Sequence, residues 1–550
     1  MANGGAGQKR QASESAMTGA LQSLQEEAAT TKIRRLEHHR SARDALAQQP
    51  LLTPPFSVGM EDLPEDIQRR ILSLLPLKEA ARTSIVSRNW RELWTCHPNL
   101  CFDGSKQQST DEDSMKIKET KFIETVNSIV QQHSGAVLNK FSIRFLLKKE
   151  SSDHLDRWIC FAAACKARIM DINLWPNALK APVGKNYNYP LEALGSQDGP
   201  FIQSLFLKHV SLKPHSDIAG FTKLRRLHLN NVIINGDLRG LLNNCCALED
   251  LEIFKCYGAW DLRVSLHLNK LRHMLISLVP TSSIDFHVTG LTHFEYKGQA
   301  RPIVLHGCSQ LEKVSLTFKA GSFERDKDLV SYAFNKLPAI SAVKVLNVRA
   351  DMIEREPVWT SQVDRLMTRP VYMFTRLRHL TCEITIFTRD ANSHVGILQF
   401  AHYLDRAPEL EVLQLHEKVH ITPLNTPTFL LIYHADGLCL VASETDVVYT
   451  TGVGFWSGEA TGLFSSSMGL HRLKKVHMSG FRCYRPQMEL LCGILEKGAT
   501  LENVTIQTNP YTVSSHNYES YIREWARHTS ERFGKTIHRR ILTLDKCKMR

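Results

Sequence analysis

The chain has 550 residues, 43% hydrophobic and 23% charged, with 68 Lys and Arg against 56 Asp and Glu for a formal charge of +12. That length makes about three to four domain-sized units or one long repetitive array. The basic residues are dispersed, so nucleic acid is not an expected partner; no run approaches the ~18 apolar residues of a membrane span; and thirteen cysteines without a C-x-x-C pair predict reduced thiols of the nucleus or cytoplasm.

Residues 1–59 are rich in Ala, Gln, Ser and Gly and contain Thr53-Pro54-Pro55, the composition of a disordered or partly helical arm. No apolar h-region opens it, so no secretory signal is expected. Its short basic cluster within Lys32–Arg43 is a weak candidate for a nuclear-import signal.

Residues 60–102 change character. Ile67, Ile71, Leu74 and Leu75 recur at helical spacing. Pro64 sits at the start, Glu65 and Asp66 suit the positive helix end, and Pro76 stops the helix. A second helix is predicted through Lys78–Thr83, and a third carries Trp90, Leu93 and Trp94. Three short helices bury little surface alone. Such a segment either packs on the rest of the chain or docks a partner that completes its apolar face.

Leu63-Pro64, Ile71-Leu72-Ser73-Leu74-Leu75-Pro76, Val86-Ser87-Arg88-Asn89-Trp90 and Leu93-Trp94 resemble an F-box, with Asn89 where that family often has Lys or Arg. The resemblance implies that Leu63, Pro64, Ile67, Ile71, Leu74, Leu75, Pro76, Val86, Ser87, Trp90, Leu93 and Trp94 bind a Skp-family adaptor. Through that adaptor the chain would join a cullin–RING ubiquitin ligase.

Residues 103–137 are expected to hold a polar linker, around Asp111-Glu112-Asp113, and a first covering helix. From Leu138 a hexapeptide, apolar-x-x-apolar-x-apolar, recurs thirteen times. Its units run from Leu138/Phe141/Ile143 and Ile169/Ile172/Leu174 through Leu251/Ile253 and Leu413/Leu415 to Leu501/Val504/Ile506. Many of the steps fall near the 20–29 residues of a leucine-rich repeat. Each unit predicts one short strand with alternate side chains turned into a shared core, which only stacking can bury. Helical returns are expected in Leu238–Leu248 and Gln399–Ala407, and mere loops for shorter ones, as around Val288–Gly290. The 63 residues between Leu413 and Val476 are expected to hold one degenerate repeat and a β-rich insertion near 417–468.

The fold class is therefore α/β: a three-helix F-box, then a curved, irregular leucine-rich-repeat solenoid over 138–468 with a parallel concave sheet. Residues 469–510 form terminal repeats, and 511–550 a basic tail. The stretch Gly480-Phe481, Met488-Glu489-Leu490-Leu491 and Leu495–Glu502 is similar to the FBD segment of plant F-box proteins, whose repeats are irregular in the same way.

Catalytic chemistry is not expected. His416-Glu417-Lys418-Val419-His420 fits H-E-x-x-H, but it follows a strand and lacks a third ligand. Gly452-x-Gly454-x-x-Ser457 lacks a βαβ frame. No cofactor and no metal centre are expected. Recognition belongs on the outward strand positions: Arg226, His228, Glu252, Phe254, His273, His293, Arg349, His379, His416 and His477 are the candidate substrate-binding residues. Their basic character suits an acidic or phosphorylated segment of a target protein. The resemblance thus implies a non-catalytic substrate-recognition subunit of a Skp–cullin–F-box ligase. The alternative is an F-box receptor whose concave surface binds a small ligand that completes the substrate site.

Overall fold

The computed structural model describes residues 63–85, 88–107, 111–135, 137–174, 186–194, 201–214, 221–258, 261–264, 268–318, 329–353, 371–388, 390, 392, 396–421, 431–434, 437–440, 470–481, 484–507 and 541–545. The chain divides into two units, Met1–Gln68 and Arg69–Arg550. In the first, Pro64 O accepts the N–H groups of Ile67 and Gln68, and the Gln68 amide returns to Leu63 O at 2.7 Å. These bonds open helix α1, Glu65–Leu74. Pro76, lacking an N–H, separates it from α2, Leu77–Arg82; α3, Arg88–Leu93, follows.

The second unit is built on one parallel sheet of 15 strands. Its first members are β1 (Asn99–Asp103), β2 (Lys140–Arg144), β3 (Ile169–Asn173) and β4 (Ser204–Lys208). Two short strands, β5 (Ser211–Leu212) and β7 (Ile233–Ile234), pair with each other on either side of β6 (Arg226–Asn230) in sequence. Then come β8 (Asp250–Phe254), β9 (Asp261–Val264), β10 (His273–Ser277), β11 (Ser283–His287), β12 (His293–Gly298) and β13 (Ile303–His306). Here the even-numbered strands extend the main sheet while β9, β11 and β13 form a second, three-stranded sheet. The main sheet continues through β14 (Lys313–Phe318), β15 (Val345–Ile353), β16 (His379–Thr388) and β17 (Val412–Ile421). A separate hairpin, β18 (Leu431–His434) and β19 (Gly437–Leu440), precedes the last three strands, β20 (Lys475–Ser479), β21 (Asn503–Gln507) and β22 (Ile541–Asp545).

The register explains the hexapeptide. Leu205, Leu227, Leu251, Met274, Phe294, Val314, Leu346, Leu380, Leu413, Val476 and Val504 lie side by side, and all are buried. They belong to one continuous core, which also takes Ile284, Phe286 and Ile303 from the second sheet. The two sheets therefore enclose the core between them. Helices α5 (Ser152–Ala164), α6 (Leu238–Leu242), α7 (Leu329–Asn335) and α8 (Phe400–Asp405) cover other returns, with Phe334 stacked on Tyr403 at 4.1 Å.

Successive strands leave the sheet through one repeated turn. His209, Asn231, Lys255 and Leu278 each follow a strand and have φ between 51° and 59°. Their N–H groups reach a carbonyl at the end of the next main-sheet strand: Asn230, Phe254, Ser277 and Lys297, at 3.1, 2.8, 2.8 and 2.6 Å. Gly480 takes this place after β20 with φ +76°, and a Cβ there would meet Glu417 O at 1.8 Å. Only glycine fits so close an approach at positive φ.

Four expectations need correction. The stretch from Glu112 is not linker: Asp111 accepts the Ser114 N–H at 2.9 Å and caps α4, Glu112–Gln132. The second repeat is Ala167/Met170/Ile172, two residues earlier than the sequence pattern suggests, because Phe141 pairs with Met170. A slip of two keeps each side chain on its face, so hydropathy alone does not reveal it. β17 pairs directly with β20, and the described residues between them place no strand in the main sheet. Glu417 to His420 are part of β17 rather than of an insertion. Val288–Gly290 is a turn, as expected, and the return that leads into it carries β11 of the second sheet. The basic tail also contributes β22, parallel to β21. Residues 32–43 and 452–457 lie outside the described residues.

Candidate functional site

Two regions carry functional side chains. In the helical segment, Leu72, Ala80, Trp90 and Leu93 are buried together, with Ile71, Leu75 and Trp94 packed against them. Trp90 and Leu93 therefore hold the helices to one another, a correction to their expected role as adaptor contacts. Ile67 is 44% exposed, Leu74 73% and Ile85 86%; Pro64 and Pro76 are exposed too. Ile85 escapes a reading by helical period because it lies in a 3-10 turn, Thr83–Ile85. Val86 and Ser87 lie outside the described residues.

His97 joins this segment to the solenoid. It is 2% exposed, and its Nε2 faces Leu72 O at 3.2 Å and Leu75 O at 3.1 Å. Those carbonyls lie at the C-terminal end of α1, where Leu72 O also accepts the Leu75 N–H at 3.0 Å and Leu75 O lies just past the helix. His97 also occupies the first place of a hexapeptide, His97/Leu100/Phe102, whose other two members are buried in β1.

The main sheet's outer face carries all ten candidate substrate residues in three rows. The first contains Arg226, Asp250, His273, His293, Lys313, Val345, His379, Val412 and Lys475 on adjacent strands. Arg226, His273, His293, Lys313, His379 and Lys475 are all exposed. Two residues further along each strand lie Phe206, His228, Glu252 and, six strands on, Gln414 and His477. The third row holds Phe254, Arg349, Glu383 and His416.

At about 4.8 Å per strand the ten span about 38 Å from β6 to β20, so they are not one pocket. They gather at two places. Near one end His228 lies between Asp250 and Glu252, with each ring nitrogen 3.1 Å from a carboxylate oxygen. Its hydrogen bond holds the Asp250 carboxyl below the usual range, against the opposing effect of burial. Phe206 meets His228 edge-on at 4.8 Å and lies 5.8 Å below the Arg226 guanidinium. His273 and His293 follow, rings 4.9 Å apart, and burial together with His273 and Lys313 lowers the His293 pKa. Near the other end Arg349 pairs with Glu383, and His416 approaches Ser479 Oγ at 2.6 Å and the His477 ring at 5.5 Å. Burial, His477 and Arg349 lower the His416 pKa. Phe206 and Asp250 are absent from the sequence list; the outward phase of β4 and β8 is the signal that would have found them.

H-E-x-x-H is a strand. Glu417 is buried and accepts the Gln487 amide at 2.9 Å, while His420 stacks on Phe387 at 5.1 Å. The segment does not make the helical turn that the zinc motif needs. Gln487 belongs to α9, Arg485–Lys497, so this bond ties the FBD-like helix to the repeats.

Residues 129–425, more than half of the chain, match the family described as At1g61320/AtMIF1, LRR domain; residues 60–102 match the F-box domain. The chain belongs to the F-box/leucine-rich-repeat family. Among similar proteins of Arabidopsis thaliana, the F-box/LRR-repeat protein At3g59210 is 24% identical over 65% of this chain and 73% of its own length. F-box/LRR-repeat protein At3g58900 is 28% identical over 42% of this chain and 71% of its own. A relative whose name carries F-box, FBD and LRR-repeat, At3g59240, is 26% identical over 64% and 68%. At family level this F-box/LRR build is that of a substrate adaptor for SCF-type ubiquitin ligases, a class typically without enzymatic activity of its own. Among the described residues no helix is long and apolar enough to cross a membrane.

Proposed function

We propose that the chain docks a Skp-family adaptor through its F-box and holds a target protein on the outer face of the main sheet, in the nucleus or cytoplasm. The observation that carries this is Leu74: a leucine 73% exposed in a helix whose Ile71 and Leu72 join a small internal cluster while Ile67, 44% exposed, stays outside it. Exposed apolar side chains of this kind mark interaction sites. The first row of the sheet face supports an acidic or phosphorylated target segment, since six exposed basic or imidazole side chains there are broken by one carboxylate, Asp250. The chain's contribution to ubiquitin transfer is then proximity: it raises the effective concentration of target lysines at the enzyme-bound thioester.

The test is capture of the tagged full-length chain from cells in which cullin neddylation is blocked, followed by mass spectrometry. Adaptor and cullin should appear in stoichiometric amounts, with ubiquitin-modified proteins as target candidates. Capture without adaptor would remove the proposal.

A further inference from the structure

The second sheet carries a cluster that the adaptor role leaves unused. In β11 and β13, Ile284, Phe286, Ile303 and Leu305 point into the core, so Asp285, His287, Val304 and His306 point away from it. The parallel register sets His287 directly opposite His306. The two imidazoles stack with centroids 4.4 Å apart at 16°, and Asp285 Oδ1 lies 3.1 Å from His306 Nε2. One ligand atom from each of Asp285, His287 and His306 lies within 4.8 Å of the others.

We propose that Asp285, His287 and His306 form a surface site for a zinc-class divalent transition cation that bridges two successive repeats. Two ligands held 2.0–2.1 Å from a tetrahedral zinc ion sit about 3.3 Å apart. The Asp285–His306 pair already has that separation. His287 closes the set by a rotation of its ring, since one of its nitrogens already lies within 4.8 Å of the other two ligand atoms. Two imidazoles and one carboxylate suit zinc, and copper(II) more tightly still; the remaining positions are open to water. Arg263, the β9 residue paired with Asp285, does not compete, because its Nε bonds Asp261 on its own strand at 3.1 Å. The sequence carries no zinc signature here, since the ligands come together only through the register of two return strands.

A cation held this way joins neighbouring units of a solenoid whose stability is a sum of nearest-neighbour terms. It binds the folded chain alone, and so raises the thermal midpoint. The experiment is isothermal titration of the chelator-treated full-length chain with Zn2+ at neutral pH, with thermal melts in parallel. Wild type should show one tight event and a raised midpoint. His306→Ala and His287→Ala should each weaken that event about tenfold or more and lose the metal-dependent rise. Their midpoints without metal should stay near the wild-type value, because both side chains point away from the core. Arg263→Ala should bind as wild type. The proposal is overturned if no tight event occurs, if it survives unchanged in both histidine variants, or if Arg263→Ala loses it equally.

Discussion

His97 Nε2 lies 3.1 Å from the carbonyl oxygen of Leu75, and this contact closes the end of α1 with a residue from the entrance of the first strand. A leucine at 97 would complete the hexapeptide and suit the core. It would also leave the carbonyls of Leu72 and Leu75 without this donor. His97→Leu should therefore destabilise the helical segment by about 1–3 kcal/mol, read by hydrogen exchange at Leu72 to Leu75, while exchange at Leu227 and Leu251 stays unchanged. Equal loosening of both regions would show that His97 acts on the whole sheet.

Adaptor capture should depend on Leu63 and Pro64. Large apolar anchors at interfaces are worth about 2 kcal/mol or more each. Changing both to Ala should cut capture by one or more orders of magnitude with unchanged circular dichroism. Leu74→Asp, on a side chain already in water, should do the same. Full capture by both variants would separate the F-box from adaptor binding.

The strand phase has a direct test. Leu251 is 0% exposed, and an aspartate there places an unpaired charge in the core, at several kcal/mol. Leu251→Asp should abolish cooperative melting. Glu252→Lys, one residue on, loses only its contact with His228 and should melt near wild type. The opposite order would mean that the faces are exchanged.

Burial, with Lys208 and Lys255 nearby, pushes the His209 pKa down to about 4. The unfolded chain binds this proton near pH 6.5, so it holds more protons than the native state between those values. Stability from His209 is present above pH 6.5 and is lost as pH falls toward 4. In this window His209→Asn should flatten the pH dependence of the denaturant midpoint. Asparagine tolerates the positive φ that the turn demands. An identical slope in the variant would assign the dependence to other groups.

His416→Ala with His420→Ala should change neither zinc content nor hydrolysis of a peptide substrate. His416 approaches Ser479, and His420 lies against Phe387. Loss of one equivalent of zinc in the double variant would reinstate the motif as a metal site.

The solenoid was legible because Leu227, Leu251 and Val314 repeat at a period no single helix or hairpin produces. What escaped were units with one member altered. In sequence, His97 stands three residues before Leu100 and Arg539 three before Leu542, where a leucine is usual. The second sheet escaped because its strands are only four or five residues long and alternate too briefly to register. In the F-box, period placed Ile67 and Leu74 but could not separate Trp90, which is buried, from Ile85, which is not. The candidate rows were right in phase, since Arg226 and His273 follow from Leu227 and Met274. Their clustering depends on register between distant repeats, which no local pattern carries.

β22 has a consequence for how the sheet ends. An open parallel sheet has two borders, and each offers a line of unsatisfied amide groups to any passing strand. At the far border Ile541–Asp545 lies alongside β21 and takes up that line. A chain cut at residue 510 would keep all thirteen regular hexapeptides yet expose Asn503–Gln507, whose uncharged sequence Asn-Val-Thr-Ile-Gln is well suited to recruit another molecule. The tail thereby moves the border to Ile541–Asp545, whose Asp545 and the following Lys546, Lys548 and Arg550 supply charges that discourage edge pairing, and truncated versions should form oligomers by light scattering where the intact protein stays dispersed.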